Sequence, residues 1–204
     1  MSNNPRIILA STSLTRINIL KKLSINFQNC PPEVNEKRKD GESARDMSLR
    51  LSLEKSLSIS KKYSGAIVIG SDQVAECDGR ILNKPQTEVN AIKQLIFQRG
   101  KKTKFFTGIA ISQNKGEIIK STVVESYVEF LAIDLLTEDL IKAYVKNEKP
   151  LNCAGSAKFE GTGICLIKKV STEDPNALLG LPVIKLCMFL NELGYHPFDL
   201  INQK

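Results

Sequence analysis

The sequence predicts an α/β protein on three observations. Ala66-Ile67-Val68-Ile69 is a short apolar run of the kind that is buried on both faces of a sheet, and it ends in Gly70-Ser71-Asp72-Gln73. Short β-type runs and capped amphipathic helices follow one another along the chain. The 204 residues are 42% hydrophobic and 25% charged, which suits one good-sized core or two lobes of one domain. In open α/β sheets, ligands bind at the carboxyl ends of strands. A lone carboxylate beside a core strand is destabilising by several kcal/mol, roughly, so Asp72 needs partners.

Arg6 to Ala10 reads as a short strand. Ser13 caps a helix from about Leu14 to Leu23, on which Ile17, Leu20 and Leu23 can pack. Hydroxyls before a helix N-terminus, with Arg16 close by, suit a phosphate; a capped helix with a surface Arg explains the same residues. Phe27 to Cys30 is a second strand, stopped by Pro31-Pro32. Glu33 and Glu36 follow in a loop with Lys37 to Lys39, and taken alone they read as solvated rather than as metal ligands. Glu42-Ser43 opens a helix to about Lys62 in which Met47, Leu51 and Lys55 step by four. Lys55 therefore either snorkels to the edge, the commoner outcome, or meets an anion.

The central strand continues to Cys77, and Asp78-Gly79 signals a hairpin back through Arg80 to Leu82. Thr87 caps a helix from Glu88 to Gln98, ended by Arg99-Gly100. Lys101 to Ser112 and Glu117 to Leu131 form an antiparallel hairpin through Asn114-Lys115-Gly116. Thr137 caps a helix to about Asn147. A Gly-rich stretch, Cys153 to Gly163, precedes a strand expected at Ile164 to Ile167. Thr172 to Asn176 is a loop, and Pro182 starts the last helix, which runs to about Leu193 before Gly194. Gly161-x-Gly163 is not a dinucleotide fingerprint, because it lacks a third Gly and opens no helix.

Composition narrows the function. No apolar run approaches the roughly 20 residues of a membrane span. Met1 to Ala10 lacks the apolar core of a signal peptide, so a cytoplasmic protein is expected. Five widely spaced cysteines with no CxxC read as reduced thiols rather than a disulfide frame or zinc site. The single histidine, His196, sits in a Pro-containing tail, which makes a catalytic Cys–His pair a poor candidate. The net charge of +7 favours a polyanionic partner or a solvated basic surface. Basic clusters are scattered with few interleaved aromatics, so a nucleic-acid track is not expected.

The order of the motifs is more specific than any one of them. Ser11-x-Ser13-x-x-Arg16, Glu33, Lys55, Gly70-Ser71-Asp72-Gln73, Lys84-Pro85, Thr107-Gly108, Ala154-Gly155-Ser156 with Gly161-x-Gly163, and Gly180-Leu181-Pro182 succeed one another from Leu9 to about Leu193. This array resembles the Maf family of nucleoside triphosphate pyrophosphatases. Ser71-Asp72-Gln73, Cys153 to Ser156, Lys158, Glu160 and Asp174-Pro175-Asn176 look like the branch that acts on 7-methyl-GTP.

The resemblance implies an elongated, two-lobed, mixed twisted sheet with flanking helices and a central cleft, related to the inosine triphosphate pyrophosphatases. It implies one domain over residues 1–204, with no separable boundary. It implies cleavage between the α- and β-phosphates, with Mg²⁺ or Mn²⁺. By the same resemblance Asp72 matches the proton acceptor, and Thr15, Gln73 and Glu160 match positions for base selection. Ser11, Ser13, Arg16, Glu33, Lys55 and Lys84 match the polar cleft. As metal ligands the carboxylates favoured are Glu33 and Asp72, with Glu36 a further candidate. The partner expected is a small-molecule nucleoside triphosphate rather than nucleic acid or membrane, with a homodimer among the options. Leu14 stands where the family usually has Pro, and Gln98-Arg99-Gly100 replaces a Leu-Ser-Gly-type helix end. The alternatives are a dTTP/UTP pyrophosphatase of the same family, a nucleotide-binding regulator without turnover, and a basic nucleic-acid-binding protein.

Overall fold

A computed structural model of the chain describes residues 5–201, the side chains of 117–119 excepted. The described residues form β1 (Ile7–Ala10), α1 (Leu14–Lys22), β2 (Phe27–Cys30), α2 (Ala44–Ser60), β3 (Ile67–Cys77), β4 (Arg80–Leu82), α3 (Glu88–Gln98), β5 (Lys102–Gln113), β6 (Glu117–Phe130), α4 (Glu138–Glu148), β7 (Ile167–Thr172) and α5 (Val183–Glu192). The strands run in the order β2-β1-β3-β5-β6-β7, with β4 paired to β3. This is the mixed α/β class that the sequence predicts.

The three predicted caps, Ser13, Thr87 and Thr137, form, and Ser43 supplies a fourth. Ser13, Ser43, Thr87 and Thr137 each accept the backbone N–H three residues on, satisfying a donor that the first turn leaves free.

The chain folds as two compact units. The first comprises Met1–Asp72, Thr107–Val124 and Asp174–Lys204. In it β1 runs parallel to both neighbours, with Ala10 level with Cys30 and with Gly70. The segments that follow β1 and β2 therefore leave the sheet at the height of Gly70. Ile67, Val68 and Ile69 are fully buried, as the continuous apolar run requires. Alternation divides the core. Ile7, Leu9, Ile67 and Ile69 pack with Leu20 of α1 and Leu186 and Leu190 of α5, while Ile8, Ala10 and Val68 pack with Ile59 of α2. Burying one such side chain contributes about 1.5–3 kcal/mol.

Helix α2 buries two rows. One is Met47, Leu51, Lys55 and Ile59, and the other is Ser48, Ser52, Ser56 and Ser60. The serine row lies on sheet glycines. A Cβ on Gly70 would overlap the Ser52 carbonyl and stand 2.6 Å from Ser56 N. One on Gly108 would overlap the Ser48 carbonyl. Small residues on both sides let helix and sheet backbones touch. The hydroxyls of Ser48 and Ser52 bond back to Arg45 O and Leu49 O (2.8 and 2.7 Å), and Ser56 Oγ reaches Val68 O at 3.1 Å.

The second unit comprises Gln73–Phe106 and Glu125–Glu173. Here β3 and β4 form the predicted hairpin, and β6 pairs antiparallel with β7. The strand expected at Ile164–Ile167 is displaced: Thr162–Leu166 is a 3₁₀ turn and the strand is Ile167–Thr172. Gly161 N and Gly163 N both donate to Lys158 O, which closes the chain on itself just before the strand. A Cβ on Gly163 would stand 2.5 Å from that carbonyl, so the turn excludes any larger residue. Strand β7 ends the sheet order and exposes Lys168, Lys169 and Ser171, so it lacks the apolar run that would mark it in the sequence.

Among the described residues no helix is long and apolar enough to cross a membrane. His196 caps a 3₁₀ turn at Pro197–Leu200, its Nδ1 accepting from Phe198 N at 3.3 Å.

Candidate active site

In the first unit, alternation along β3 sends neighbouring side chains to opposite faces. Asp72 follows Val68 and Gly70 onto the α2 side. There Lys55, only 5% exposed, sets Nζ 2.5 Å from Asp72 Oδ1. The same ammonium stands 2.5 Å from Glu36 Oε1, and Glu36 is 47% exposed. Lys55 therefore does not snorkel; it joins two carboxylates. The contact of Gly70 with Ser52 and Ser56 brings Lys55, between those serines in sequence, down to the strand.

Ser71 points to the other face. Its buried hydroxyl lies 2.7 Å from Gly108 O and 2.9 Å from Gly180 O. Gly180 O also accepts Arg16 Nε at 2.6 Å, which fixes the guanidinium of this half-buried residue. Gly180 has φ +100°, and a Cβ there would stand 3.4 Å from Arg16 Nε. Burial pulls the Arg16 pKa below its usual range, while the charges of Asp72 and Glu36 pull it up. The guanidinium thus shares the electrostatic neighbourhood of the Lys55 cluster. Ser11 is buried and its Oγ accepts Ser13 N at 3.0 Å, which folds the β1–α1 loop tightly over the helix N-terminus. Thr15 is half-buried in the first turn of α1. Ser11, Ser13, Thr15 and Arg16 thus share the turn that leaves β1.

Glu33 does not join them. Its side chain is 88% exposed and faces Lys62 Nζ at 3.9 Å. Among the described residues no three His, Cys, Asp or Glu side chains gather closely enough to hold a metal ion together. The second carboxylate beside Asp72 is Glu36, the weaker candidate of the sequence.

In the second unit, Gln73 is half-buried on β3, and Lys84 is exposed just after β4. Glu160 is exposed at the turn closed on Lys158 O. Lys84 and Glu160 share surroundings, since both act on Cys153, whose thiol burial pushes up to about 11. That thiol stays neutral near pH 7, so it is a poor nucleophile. Glu148 accepts Thr162 N (2.9 Å), Thr162 Oγ1 (2.8 Å) and Lys158 Nζ (3.1 Å), which lower its pKa to about 2. Fully buried Gln98 donates to Gly155 O at 2.8 Å and accepts Thr103 Oγ1 at 2.9 Å, tying the Gly-rich stretch to α3.

A family model described as Maf-like protein matches residues 6–193. The chain belongs to the Maf-like family. One relative of this Maf-like chain, from Pseudomonas aeruginosa, is named 7-methyl-GTP pyrophosphatase; it is 41% identical over 93% of this chain and 97% of its own. Two solved structures are similar over part of the chain. The Ham1 protein of Staphylococcus aureus is 17% identical, covering 62% of this chain and 71% of that one, with TM-score 0.42. A HAM1 protein from Coxiella burnetii is 13% identical, covering 62% and 73%, with TM-score 0.42.

Ser71, Gly180 and Gln98 hold parts of this Maf-like chain in place, and sequence reasoning leaves them without a role. Ser71 carries a signal of its own, a hydroxyl beside a buried apolar run, and Gly180 stands in the quoted motif array.

Proposed function

We propose that this chain is a nucleoside triphosphate pyrophosphatase that hydrolyses 7-methyl-GTP to 7-methyl-GMP and pyrophosphate. The observation that carries the reading is the 41% identity, across nearly all of both chains, to a 7-methyl-GTP pyrophosphatase. The cluster around Asp72 supports it with the right chemical parts.

Water attacks the α-phosphorus, a P–O bond forms, and the bond to the β-phosphate oxygen breaks in line with it. Asp72 accepts the water's proton. In this structure its oxygen is engaged by Lys55. An incoming triphosphate competes for that ammonium, and an Asp72 relieved of Lys55 is the better base. Arg16 binds phosphate oxygens as a fork and Lys55 as a point charge. Donors at the start of α1 add an uncharged cradle beside Ser11 and Ser13.

Asp72 and Glu36 are hard oxygen donors that already converge on one cation, Lys55, so they fit Mg²⁺ or Mn²⁺. When bound with phosphate oxygens, such an ion neutralises charge on the triphosphate. Lys84 supplies a further positive charge in this reading. Thr15, Gln73 and Glu160 select the base, Glu160 by favouring the positive ring of 7-methylguanine. The product fits removal of a modified nucleotide from the pool.

The test is pyrophosphate release from 7-methyl-GTP, GTP, dTTP and UTP with Mg²⁺ or Mn²⁺. Preference for 7-methyl-GTP supports the reading. Preference for dTTP or UTP transfers the chain to the other branch, and binding without pyrophosphate release makes it a regulator.

A further inference from the structure

We propose that Arg50 is a positioning residue for this reaction: it anchors the irregular segment between β2 and α2 so that Glu36 stays beside Lys55 and Asp72. The inference rests on the pyrophosphatase reading above.

Residues 31–43 contain no helix or strand. A chain of that length loses much conformational freedom when held in one path, so something must hold it. Arg50, with a side chain 15% exposed, reaches it from α2. Its Nε donates to Glu42 Oε1 at 2.5 Å and its Nη2 to Glu42 Oε2 at 2.9 Å, a two-pronged bond. The same Nη2 lies 3.1 Å from Lys37 O, the carbonyl next after Glu36 in the chain. Nη1 bonds Glu54 Oε2 at 3.0 Å, so its own helix steadies the guanidinium. Glu42 extends the grip: its Oε2 accepts Lys39 N at 3.0 Å and its carbonyl accepts Arg38 Nε at 2.7 Å.

One helix therefore acts on Glu36 twice. Arg50 fixes the backbone beside it, and Lys55, five residues or about 7.5 Å further along the axis, takes its carboxylate. Glu36 is 47% exposed, so burial alone does not fix it. A clamp that served only the start of α2 would need Glu42; the reach to Lys37 O is what ties it to Glu36.

The test combines trypsin, whose targets Lys37, Arg38 and Lys39 lie on the anchored segment, with kinetics on 7-methyl-GTP. Arg50→Met should speed cleavage at those sites by about tenfold while the thermal transition stays cooperative. It should lower kcat/KM by roughly 10- to 100-fold, the size of loss a misplaced group produces. Arg50→Lys should fall between, because an ammonium cannot reproduce the fork. Glu36→Gln alone should also lower kcat/KM. The double variant should lie within about twofold of the worse single one, because both act through the same carboxylate.

Unchanged cleavage in Arg50→Met, full activity in Glu36→Gln, or losses that multiply in the double variant would each overturn the proposal. If Arg50→Met does not fold, Glu42→Gln removes the other half of the anchor and is held to the same outcomes. A wild-type chain without turnover refutes the pyrophosphatase reading instead, and the cleavage arm then decides the anchoring alone.

Discussion

Lys55 Nζ meets Asp72 Oδ1 at 2.5 Å because Gly70, two residues before Asp72, has no side chain to hold α2 off the strand. The pair is buried, and removing either partner strands a charge where water cannot solvate it, an effect of about 3–5 kcal/mol for a buried pair. Glu36 tempers that effect on one side only. Without Asp72 the ammonium keeps a carboxylate, whereas without Lys55 two carboxylates face each other.

Asp72→Asn should therefore fold and fail to turn over. Loss of a general base lowers rate by about 10²- to 10⁴-fold. Circular dichroism and a melting curve check the fold, and pyrophosphate release from 7-methyl-GTP checks the chemistry. Near-normal turnover in a folded variant would remove Asp72 from its role.

Gly70→Ala tests the approach of helix to strand. Its Cβ would overlap Ser52 O and Ser56 N, both backbone atoms that cannot swing aside. Overpacking of this kind is destabilising by about 1–3 kcal/mol, and here it should also separate Lys55 from Asp72. Gly65→Ala is the control. Gly65 has φ +75° but nothing within 4 Å, so its substitution should cost about 1–2 kcal/mol of backbone strain and leave turnover intact. Denaturant midpoints and kcat measured on both variants separate the two effects.

Acid should unfold the protein partly through Glu42. Its pKa is lowered from 4.5 to about 2, first by the hydrogen bond from Arg50, and further by Lys39. Glu54 shares the guanidinium and Arg38 holds the Glu42 carbonyl. A folded-state pKa below the unfolded one means that the unfolded chain takes up the proton first. The stabilisation is thus complete above about pH 4.5 and disappears as pH falls through about 2. Urea midpoints measured between pH 5 and pH 2.5 should fall less steeply for Glu42→Gln than for the wild type. Equal slopes would refute the linkage.

The parts of this chain that sequence makes legible are those where one physical rule dominates. Ile67 to Ile69 announce a core strand because burial on both faces leaves no polar position. Met47, Leu51 and Lys55 announce one face of α2 because their spacing matches the helix. The serine row of α2 is illegible, because serines in a helix read as solvated unless the glycines beneath them are known. Lys55 reads as snorkelling since its acceptors, Glu36 and Asp72, lie 19 and 17 residues away in opposite directions. Glu33 and Glu36 cannot be told apart by periodicity in an irregular segment; in the structure Glu36 meets Lys55, while Glu33 is exposed beside Lys62. Strand β7 is displaced from its expected place because its exposed lysines hide a strand, while Ile164 and Leu166, in the turn before it, mimic one.

Glu160 tests selection of the base. Its charge acts on nearby Lys158, and its removal should be felt mainly by a ligand that is itself positive. Glu160→Gln should lower kcat/KM for 7-methyl-GTP by about tenfold more than for GTP, equivalent to about 1.4 kcal/mol. An equal loss on both substrates would reject charge matching and leave Glu160 a shape or hydrogen-bonding role.

Gln98 is the last residue of α3, and the structure gives its side chain a purpose. The side chain is fully buried and joins three segments: it donates to Gln94 O at 3.1 Å on its own helix and to Gly155 O, and it accepts Thr103 Oγ1. Gly155 has φ +67°, and next to it Ser156 has φ 58°, a conformation that non-glycine residues seldom adopt. Ser156 is held there by its Oγ, 2.6 Å from Gln94 Oε1. Gln98→Leu keeps the bulk but leaves Gly155 O and Thr103 Oγ1 without these partners, which should destabilise the fold by about 2–4 kcal/mol. If the loop conformation matters to the base, KM should rise more than kcat falls. Gln98→Glu is the sharper comparison, because it can still accept from Thr103 while its second oxygen faces Gly155 O. A denaturation midpoint close to wild type in both variants would show that the Gln98 bonds do not hold the Gly-rich stretch.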